Sequence, residues 1–258
     1  TGVTDCGPAI QAAINAASFG DCVLLPAGTL RVNATINFGS LGDRKGITVR
    51  GAGMGQTIIM FYGSGAVFRI GSESDYAWAY PSGVTVSGTV ARGATSMTLS
   101  SAAEIPTSRI IRVTVGNDPS IPVIPVNGEE HARAQLVWVQ SKVGDTITFD
   151  PPLLFDINPT LGSTVKLVQF NGDLNGLEDF TVDCSNAGGA SGFVSISQGY
   201  RSWIKGVEVK ELSNWGITLT ASMYCEVRKC VIYNQLAGSN KSGIILQSGN
   251  SSNLIEDN

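Results

Sequence analysis

The last third of the chain repeats a short pattern in which apolar and polar positions alternate. Similar segments carry it at Leu177–Asp183, Ile204–Lys210 and Val227–Tyr233. A second apolar pattern lies between them, at Val194–Ile196, Ile217–Leu219 and Ile244–Leu246. Self-similarity at a period of twenty-odd residues predicts a solenoid, whose coils bury their apolar sides only by stacking on their neighbours.

The type of solenoid follows from the residues in these segments. The strands are short, rich in Val and Ile, and separated by Gly and Asn, which is typical of a parallel β-helix. A leucine-rich repeat would need a regular Leu-x-x-Leu-x-Leu pattern with one strand per turn, whereas each turn here carries two or three strands. The predicted fold is therefore an all-β parallel β-helix.

Helical spacing occurs near the N-terminus. Apolar side chains fall on one helical face at Ile10, Ala13, Ile14 and Ala17. Asp5 is placed to accept a hydrogen bond at the start of this helix, and Pro8 suits its first turn. Because the first coil of a solenoid exposes an apolar cross-section, we expect the helix to cap it.

The solenoid pattern is interrupted between residues 84 and 152. Strands in this stretch no longer match the period, and Gly144-Asp145 is typical of a hairpin turn. The sequence therefore predicts a cap with the first coils at 1–83, an inserted antiparallel β unit at 84–152, and further coils at 153–258, beginning with Val165–Val168. The last coil stops without a capping helix, so we expect it to be truncated, either because the native polypeptide is longer or because this chain is a fragment of it.

Two N-terminal motifs resemble a known family. The helix Ala-Ile-Gln-Ala-Ala-Ile-Asn-Ala-Ala at 9–17 precedes Val-Leu-Leu-Pro-Ala-Gly-Thr-Leu-Arg-Val at 23–32. This arrangement resembles the N-terminus of the pectate-lyase-like superfamily, which includes the polygalacturonases. The segment Thr-Ile-Thr-Phe-Asp-Pro-Pro-Leu at 146–153 is similar to one found in inserts of that group. The resemblance implies a right-handed β-helix, secretion and action on polysaccharides.

Composition narrows the class of partner. Of the 258 residues 15% are charged, the net charge is −4 and the mean hydropathy is +0.14. Low charge with positive hydropathy disfavours disorder, and the lack of a basic excess disfavours nucleic acid as a partner. No apolar run reaches the length of a membrane span. The glycine-rich segment Gly51–Gly55 lacks the spacing and the following helix of a nucleotide-binding loop.

The five cysteines suggest structural roles. Because no Cys-x-x-Cys pair occurs, a zinc site is not expected. Cys6 and Cys22 flank the predicted helix, so we expect a disulfide between them in a secreted protein, contributing about 3 kcal/mol by closing a loop of about 15 residues. Cys225 and Cys230 fall at inward positions of one coil and are expected to be buried thiols.

Stacking the coils converts the sequence alignment into geometry. If Val49, Val182, Val209 and Ile232 share an inward column, the next residue on each strand points outward. The predicted outward column, with rungs about 4.8 Å apart, is Arg50, Asp183, Lys210 and Tyr233. Neighbouring outward columns are Thr48, Thr181, Glu208 and Val231, and then Glu178, Lys205, Arg228 and Glu256.

These columns carry groups that polysaccharide cleavage requires. A lyase needs a base beside a uronic carboxylate and a cation, from Arg, Lys or Ca²⁺, to neutralise that carboxylate. Lys210, between Asp183 and Tyr233, is the candidate base, and Arg50 is the candidate clamp for an acidic group. A hydrolase needs two carboxylates, for which Asp183 and Glu208 are the candidates. Alternatively, opposite charges on neighbouring rungs only form a solvated surface pattern.

Aromatic side chains are further candidates for binding sugars. Tyr76, Trp78 and Tyr80 cluster in a polar loop before the insert, and Trp203 occupies an outward position in a coil. Exposed rings stack on sugar faces, whereas buried rings fill space in a core. His131, the sole histidine, lies in the insert beside two glutamates, where it is either a surface residue or reaches over the groove.

The predicted function is that of an extracellular carbohydrate-active protein, a polysaccharide lyase or glycoside hydrolase acting in a groove along one parallel sheet. The segments that polygalacturonases share, Asn-Thr-Asp, Asp-Asp, Gly-His-Gly and Arg-Ile-Lys, are missing. This departure keeps a second class open, a non-catalytic polysaccharide-binding, adhesin-like or phage tailspike-like module. Polysaccharide is the expected partner, and neither nucleic acid nor membrane is. Ca²⁺ is a candidate cofactor, but no side chains are assigned to a metal site and no oligomeric state is predicted.

Overall fold

The computed structural model describes residues 2–38, 46–71, 78–79, 83–116, 133–168, 172–188, 192–212, 215–235 and 242–258. The chain divides into two compact units. The first comprises Thr1–Asp75, Phe170–Gln247 and Asn253–Asn258, and the second comprises Tyr76–Gln169 with Ser248–Ser252. Within the described ranges, no helix combines the length and the apolar character needed to cross a membrane.

The chain begins with the helix α1 (Gly7–Ala16) and continues mainly in strands. Up to residue 150 the strands are β1 (Cys22–Leu24), β2 (Gly28–Val32), β3 (Ile36–Asn37), β4 (Thr48–Arg50), β5 (Thr57–Phe61), β6 (Ala66–Gly71), β7 (Trp78–Ala79), β8 (Val86–Ser87), β9 (Ser96–Leu99), β10 (Arg109–Val115), β11 (Arg133–Val143) and β12 (Thr146–Asp150). A short 3-10 helix (Pro159–Leu161) precedes β13 (Ser163–Val168), β14 (Gly172–Asp173), β15 (Gly176–Asp183), β16 (Phe193–Ser197), β17 (Gly199–Tyr200), β18 (Trp203–Leu212), β19 (Trp215–Thr220), β20 (Glu226–Arg228), β21 (Val231–Gln235), β22 (Ser242–Gln247) and β23 (Leu254–Glu256).

Parallel strands build the first unit. One sheet has the order β1-β4-β15-β18-β20-β23, with β2, β5 and β21 paired beside this row, and a second sheet has the order β22-β19-β16-β6-β3. Pairing joins equivalent positions of successive coils, such as Val182 to Val209 and Val209 to Ile232. The described strand pairs of both sheets are parallel, which makes this unit a parallel β-solenoid.

The core of the solenoid lies between its sheets. Val182 of the first sheet and Ile196 of the second are fully buried in one apolar cluster. The rings of Phe68 and Phe180, one from each sheet, have centroids 5.2 Å apart. Burying apolar surface contributes roughly 25 cal/mol per Å², so this shared core is the main force that holds the coils together.

The coils turn at residues in the left-handed conformation that recur at the same place in successive coils. One column of these corners has φ between 53° and 61° and contains Asp179, Gly206, Lys229 and Asp257. A second, with φ of 57°, 51° and 54°, contains Leu174, Arg201 and Tyr224. Because this conformation costs a residue with a Cβ about 1–2 kcal/mol, the pairing on either side of each corner must offset the cost.

A glycine-rich segment after β4 packs against the corner at Asp179. The Gly51 amide donates to Glu178 O and the Gly53 amide donates to Asp179 O, each at 2.9 Å. A Cβ added to Gly51 would lie 2.4 Å from Asp179 O, so only glycine fits there. The backbone donors of this segment are thus used inside the fold.

Helix α1 covers the apolar end of the first coil. Ile10 and Ile14 are buried in the same cluster as Leu25 and Val32. Asp5 Oδ1 accepts a hydrogen bond from the Gly7 amide at 2.9 Å, as the sequence predicts for the start of the helix. The helix therefore performs the capping role that a solenoid end requires.

The second unit is an antiparallel sheet with a core of its own. Its strand order is β7-β13-β10-β11-β12-β9-β8. Gly144 lies in the tight turn between β11 and β12, which confirms the predicted hairpin. The prediction that Val165–Val168 returns to the solenoid is wrong, because Val165 pairs antiparallel with Val113. Alternating apolar residues suit either sheet, so the pattern alone did not reveal that this strand stays with the antiparallel unit.

The predicted disulfide is also wrong, since Cys6 and Cys22 are both free. The Cys6 amide donates to Arg31 O, and Arg31 lies in the column of Asp183 at the end of β15. Cys22 lies in the column of Gly176 at the start of β15. These columns lie at opposite ends of β15, on either side of the Asp179 corner, whereas the Cα atoms of a disulfide are at most about 7 Å apart.

We expect thiol reagents to distinguish the cysteines. Cys184, Cys225 and Cys230 are buried, and burial raises the pKa of Cys184 and of Cys225 to about 12. Because the thiolate is the nucleophile, iodoacetamide at pH 8 should alkylate Cys22 and Cys6 in the native protein and the other three only after denaturation. Peptide mass spectrometry reads the sites. A native protein without any alkylated cysteine would instead indicate an oxidised Cys6–Cys22 pair.

A glycine substitution at a corner should stabilise the fold. Lys229 is exposed and has a φ of 53°, so Lys229→Gly relieves left-handed strain and should raise the free energy of unfolding by about 0.5–1 kcal/mol. Lys205→Gly, at an exposed strand position of the same sheet, should lower it by about 0.5–1 kcal/mol. Urea unfolding measures both. Equal destabilisation by the two changes would show that the corner carries no strain.

Candidate functional site

The outer face of the long parallel sheet carries polar side chains in columns that cross the strands. One column contains Arg31, Met60, Asp183, Lys210 and Tyr233. The column beside it contains Ile58, Thr181, Glu208 and Val231. On the other side of the Asp179 corner, a third contains Arg50, Glu178, Lys205, Arg228 and Glu256. Each column therefore places side chains from successive coils one rung apart.

The predicted outward column is confirmed for three residues and wrong for Arg50. Asp183, Lys210 and Tyr233 are in register on consecutive coils. Arg50 pairs with Glu178, because β4 aligns with the first half of β15 and β5 aligns with the second half. Met60 takes the place beside Asp183 that the sequence analysis gave to Arg50.

An ion pair lies at the centre of the first column. Lys210 Nζ is 3.3 Å from Asp183 Oδ2, and the two side chains are 26% and 14% exposed. Burial raises the pKa of Asp183, but hydrogen bonds from Ser185 and Lys210 outweigh it and leave the pKa below its ordinary value. Burial lowers the pKa of Lys210, but the hydrogen bond and charge of Asp183 outweigh it and leave that pKa raised. Both groups are therefore charged at neutral pH.

Glu208 is held by hydroxyl groups from the coils on either side. Thr181 Oγ1 donates to Glu208 Oε2 at 2.5 Å, and Tyr233 OH donates to Glu208 Oε1 at 3.0 Å. Thr181 Oγ1 also accepts a hydrogen bond from the Gly55 amide at 2.8 Å. The hydrogen bond to Glu208 raises the pKa of Tyr233, whose side chain stays 39% exposed. We call Thr181, Asp183, Glu208, Lys210 and Tyr233 the Asp183 cluster.

The chemistry open to this cluster follows from its charges. A general base must be deprotonated before it accepts a proton, and the raised pKa values of Lys210 and Tyr233 oppose this at neutral pH. Lys210 therefore suits the binding of an anion or hydroxyl better than the predicted role of base. Asp183 and Glu208 occupy diagonal places on adjacent rungs of the same face, so two carboxylates lie on neighbouring coils, and a glycoside hydrolase requires such a pair.

Trp203 lies across the preceding coil. A Cβ added to Gly176 would come within 2.3 Å of the indole, so the ring covers a place that only glycine can occupy. The indole N–H donates to Glu178 Oε1 at 2.7 Å, while Arg50 Nε and Nη2 each lie 2.6 Å from Glu178 Oε2. The hydrogen bond and the charge of Glu178 raise the pKa of Arg50. Glu178 is thus fixed by the coil before it and the coil after it.

A cavity of about 230 Å³ opens beside this indole. We call it the Trp203 pocket; it is lined by Glu178, Trp203, Ile204, Lys205, Glu226 and Arg228. Arg228 lies 3.6 Å from Glu226 and also forms an ion pair with Glu256 on the next coil. An aromatic face beside charged hydrogen-bonding groups is a combination suited to a sugar ring with its hydroxyls.

The structure brings together Asp183, Glu208, Lys210 and Tyr233, and it places Arg50 and Trp203 beside Glu178. Tyr76, Tyr80, His131 and the side chain of Trp78 lie outside the described residues. Sequence reasoning missed the Trp203 pocket as a unit. The available signal was the alignment of Gly176 with Trp203, one period apart, which leaves room for a large side chain.

Calcium was an alternative source of positive charge in the sequence analysis. Among the described residues, no group of three or more His, Cys, Asp or Glu side chains is arranged to hold a metal ion. On the described part of this face, the positive charges that form ion pairs with carboxylates belong to Arg50, Lys210 and Arg228.

Solved structures of phage tailspikes share this fold over nearly the whole chain. The tailspike protein gp49 of Pseudomonas phage LKA1 matches 95% of it with a TM-score of 0.62 and 17% identity. The tailspike gp61 of Pseudomonas phage phi297 matches 97% with a TM-score of 0.64 and 15% identity. The gp54 tailspike of Acinetobacter baumannii bacteriophage AP22, crystallised with an A. baumannii capsular saccharide, matches 97% with a TM-score of 0.56 and 12% identity. This chain spans 39%, 42% and 44% of those chains.

These similarities define the class of protein as an all-β parallel solenoid of the right-handed type. At such low sequence identity they show the fold alone. No protein-family model matches the chain, and no curated protein sequence matches it either. The solved structures support the resemblance to the pectate-lyase-like superfamily only as far as the β-helix fold. That the chain belongs to this superfamily stays a prediction.

The Asp183–Lys210 pair should make a pH-dependent contribution to stability. The lowered pKa of Asp183 means that this contribution is present above the ordinary carboxyl value near 3.9 and is lost as pH falls through the folded-state pKa. The raised pKa of Lys210 means that it is present below the ordinary value near 10.4 and is lost as pH rises through the folded-state pKa. Asp183→Asn should therefore lower the free energy of unfolding by about 1 kcal/mol at pH 7.

Urea unfolding of the parent and Asp183→Asn between pH 2 and 7 checks this expectation. The difference between the two proteins should shrink towards zero at the acid end. Glu104→Gln, at an exposed position of the antiparallel unit, removes a carboxylate and serves as the control. A difference that does not change with pH would mean that the ion pair contributes nothing and that Asn disturbs packing instead.

Proposed function

We propose that this chain binds polysaccharides outside the cell, along the outer face of the long parallel sheet. The observation that carries the proposal is the Trp203 indole, fixed by Gly176 and Glu178 beside a cavity of about 230 Å³. An aromatic ring held in one orientation can stack on a sugar with little loss of side-chain entropy.

The cross-strand columns support binding of an extended polymer. Asp183, Lys210 and Tyr233 occupy consecutive rungs about 4.8 Å apart. Their partners on neighbouring coils fix the side chains before a ligand arrives, which reduces the entropy lost on binding. The capsular saccharide bound to the phage AP22 tailspike gives an example of a glycan on a protein with this fold.

A second candidate function is hydrolysis of the bound polysaccharide at the Asp183 cluster. The observation that favours it is the diagonal placement of Asp183 and Glu208 on adjacent coils. Asp183, kept ionised by its hydrogen bonds from Ser185 and Lys210, suits activation of a water or stabilisation of an oxocarbenium-like charge. Glu208 accepts hydrogen bonds from Thr181 and Tyr233, so it would have to take up a proton before it could donate one to the leaving oxygen. Elimination by Lys210 is the less favoured chemistry, because its raised pKa keeps it protonated.

A polysaccharide panel tests both functions. We expect the parent to bind at least one acidic or neutral polymer from a set that includes bacterial capsular polysaccharides, measured by biolayer interferometry. Trp203→Ala should weaken that binding about tenfold, because the stacking surface is lost. If the bound polymer is also cleaved, new reducing ends without ultraviolet absorbance indicate hydrolysis, and absorbing unsaturated products indicate a lyase.

Matched variants separate binding from cleavage. Asp183→Asn and Glu208→Gln should each slow reducing-end formation by about 100-fold or more while binding is kept, as expected when an acid or base is removed. Glu104→Gln should leave both properties unchanged. Cleavage that survives in Asp183→Asn and Glu208→Gln would place the reaction elsewhere, and binding without any cleavage would leave the chain as a binding module.

A further inference from the structure

The charged side chains around the Trp203 pocket balance one another. The pocket and its ion-pair partners comprise three carboxylates and three cations, namely Glu178, Glu226 and Glu256 with Arg50, Lys205 and Arg228. Each of these carboxylates forms an ion pair with one of the two arginines. Lys205 lies in register between Glu178 on the preceding coil and Arg228 on the next, so its two neighbours carry opposite charges. The pocket therefore offers no net charge to attract an ionic ligand.

Hydrogen-bonding capacity remains on two of these side chains. Glu226 pairs with Arg228 through Oε2, and its Oε1 accepts no hydrogen bond from the residues that the structure describes. Lys205 is exposed on the pocket wall, and its Nζ likewise donates to no described residue. A hydroxyl group can donate to the first side chain or accept from the second without bringing a charge into the pocket. Two hydroxyls of one sugar ring can therefore use both.

The strand register places these groups around the indole. Trp203 pairs with Glu226 on the next coil, and Leu254 on the coil after that extends the column with exposed apolar surface. Lys205 follows Trp203 by two residues on β18 and so lies on the same face of the sheet. A ring lying against the indole therefore has an acceptor in the column of Trp203 and a donor in the column beside it.

We propose that the Trp203 pocket is a subsite for an uncharged sugar residue, recognised by its ring face and two of its hydroxyl groups. The ring face lies against the indole of Trp203, one hydroxyl donates to Glu226, and another accepts from Lys205. The proposal rests on the proposed function, in which this face binds polysaccharide. It adds the class of polysaccharide, one that contains a neutral sugar, and the two residues that select it.

The size and the charges of the pocket agree with this role. Its volume of about 230 Å³ is below the roughly 300–1,000 Å³ of pockets that enclose whole drug-sized ligands, which suits one ring of a polymer. An acidic sugar would bring its charge beside Glu178 and Glu226, and like charges placed together oppose association. The arginines that could offset this repulsion are already paired with carboxylates. A sugar without a charge avoids the repulsion.

The experiment compares polymers that differ in charge. Polygalacturonate and its carboxyl-reduced form, a sulfated and an unsulfated galactan, and acidic and neutral bacterial capsular polysaccharides are tested by biolayer interferometry at low and high NaCl concentration. We expect the parent to bind at least one neutral polymer about tenfold more tightly than its charged counterpart. Because that ligand carries no charge, its affinity should change by less than about twofold when salt screens the charges of the protein.

Two variants test the assigned contacts. Glu226→Gln replaces a charge-assisted hydrogen bond by a weaker neutral one and should weaken binding of the neutral polymer about tenfold. Arg228 keeps its second ion pair in this variant. Lys205→Met removes the donor and should weaken binding about fivefold. Glu104→Gln and Lys166→Met make the same changes at exposed positions of the antiparallel unit and should have no effect.

Several outcomes decide the proposal. A salt-independent preference for neutral polymers supports it when both pocket variants bind more weakly and both controls bind as the parent does. Tighter binding of the charged polymers, or binding that salt abolishes, overturns it while the proposed function stands. Equal binding of a neutral polymer by the parent, Glu226→Gln and Lys205→Met would place the sugar outside the pocket contacts and overturn it as well. A parent that binds none of these polymers overturns both.

Discussion

Everything in the solenoid depends on the parallel backbone pairing that holds equivalent residues of successive coils above one another. The pairing sets Val182 over Val209 and Val209 over Ile232, so one apolar column becomes a continuous core. It also holds Asp179 and Lys229 in a left-handed conformation that neither side chain favours. A slip of one residue would turn the core side chains outward, which is why register and burial enforce each other.

The same register positions the polar side chains of the outer face, and their ion pairs and hydrogen bonds join different coils. Lys210 meets Asp183 of the preceding coil, and Glu208 receives hydroxyls from the coils on both sides. Glu178 is fixed in the same way by Arg50 and Trp203. The raised pKa values of Arg50, Lys210 and Tyr233 each follow from a carboxylate one rung away. The lowered pKa of Asp183 follows from Ser185 on its own coil and from Lys210 on the next. The charge state of the face is therefore a property of the stack.

The sequence predicted those parts of the structure that depend on repetition. Asp183, Lys210 and Tyr233 were aligned correctly because each lies four residues after the corner of its own coil, at Asp179, Gly206 and Lys229 respectively. Arg50 was misplaced because, in the coil before β15, residues 51–56 separate β4 from β5, so that one inward valine fits two places in the row equally well. The predicted disulfide was wrong because Cys6 and Cys22 are close in sequence but lie beside opposite ends of β15. The contacts of Glu178 with the Trp203 indole and with Arg50 were not predicted, because they depend on side chains of neighbouring coils and no apolar pattern records them.

Parallel pairing also gives the solenoid a direction-dependent mechanical strength. The hydrogen bonds between β15 and β18 point from coil to coil, along the axis of the stack. A force pulling along that axis would load the interface between two coils at its edge, so that its hydrogen bonds break one after another. A force pulling along the strands would load the whole row from Gly176 to Asp183 in shear, so that all its bonds must fail together. The same stack should therefore peel apart under a small load and resist a much larger one applied at right angles.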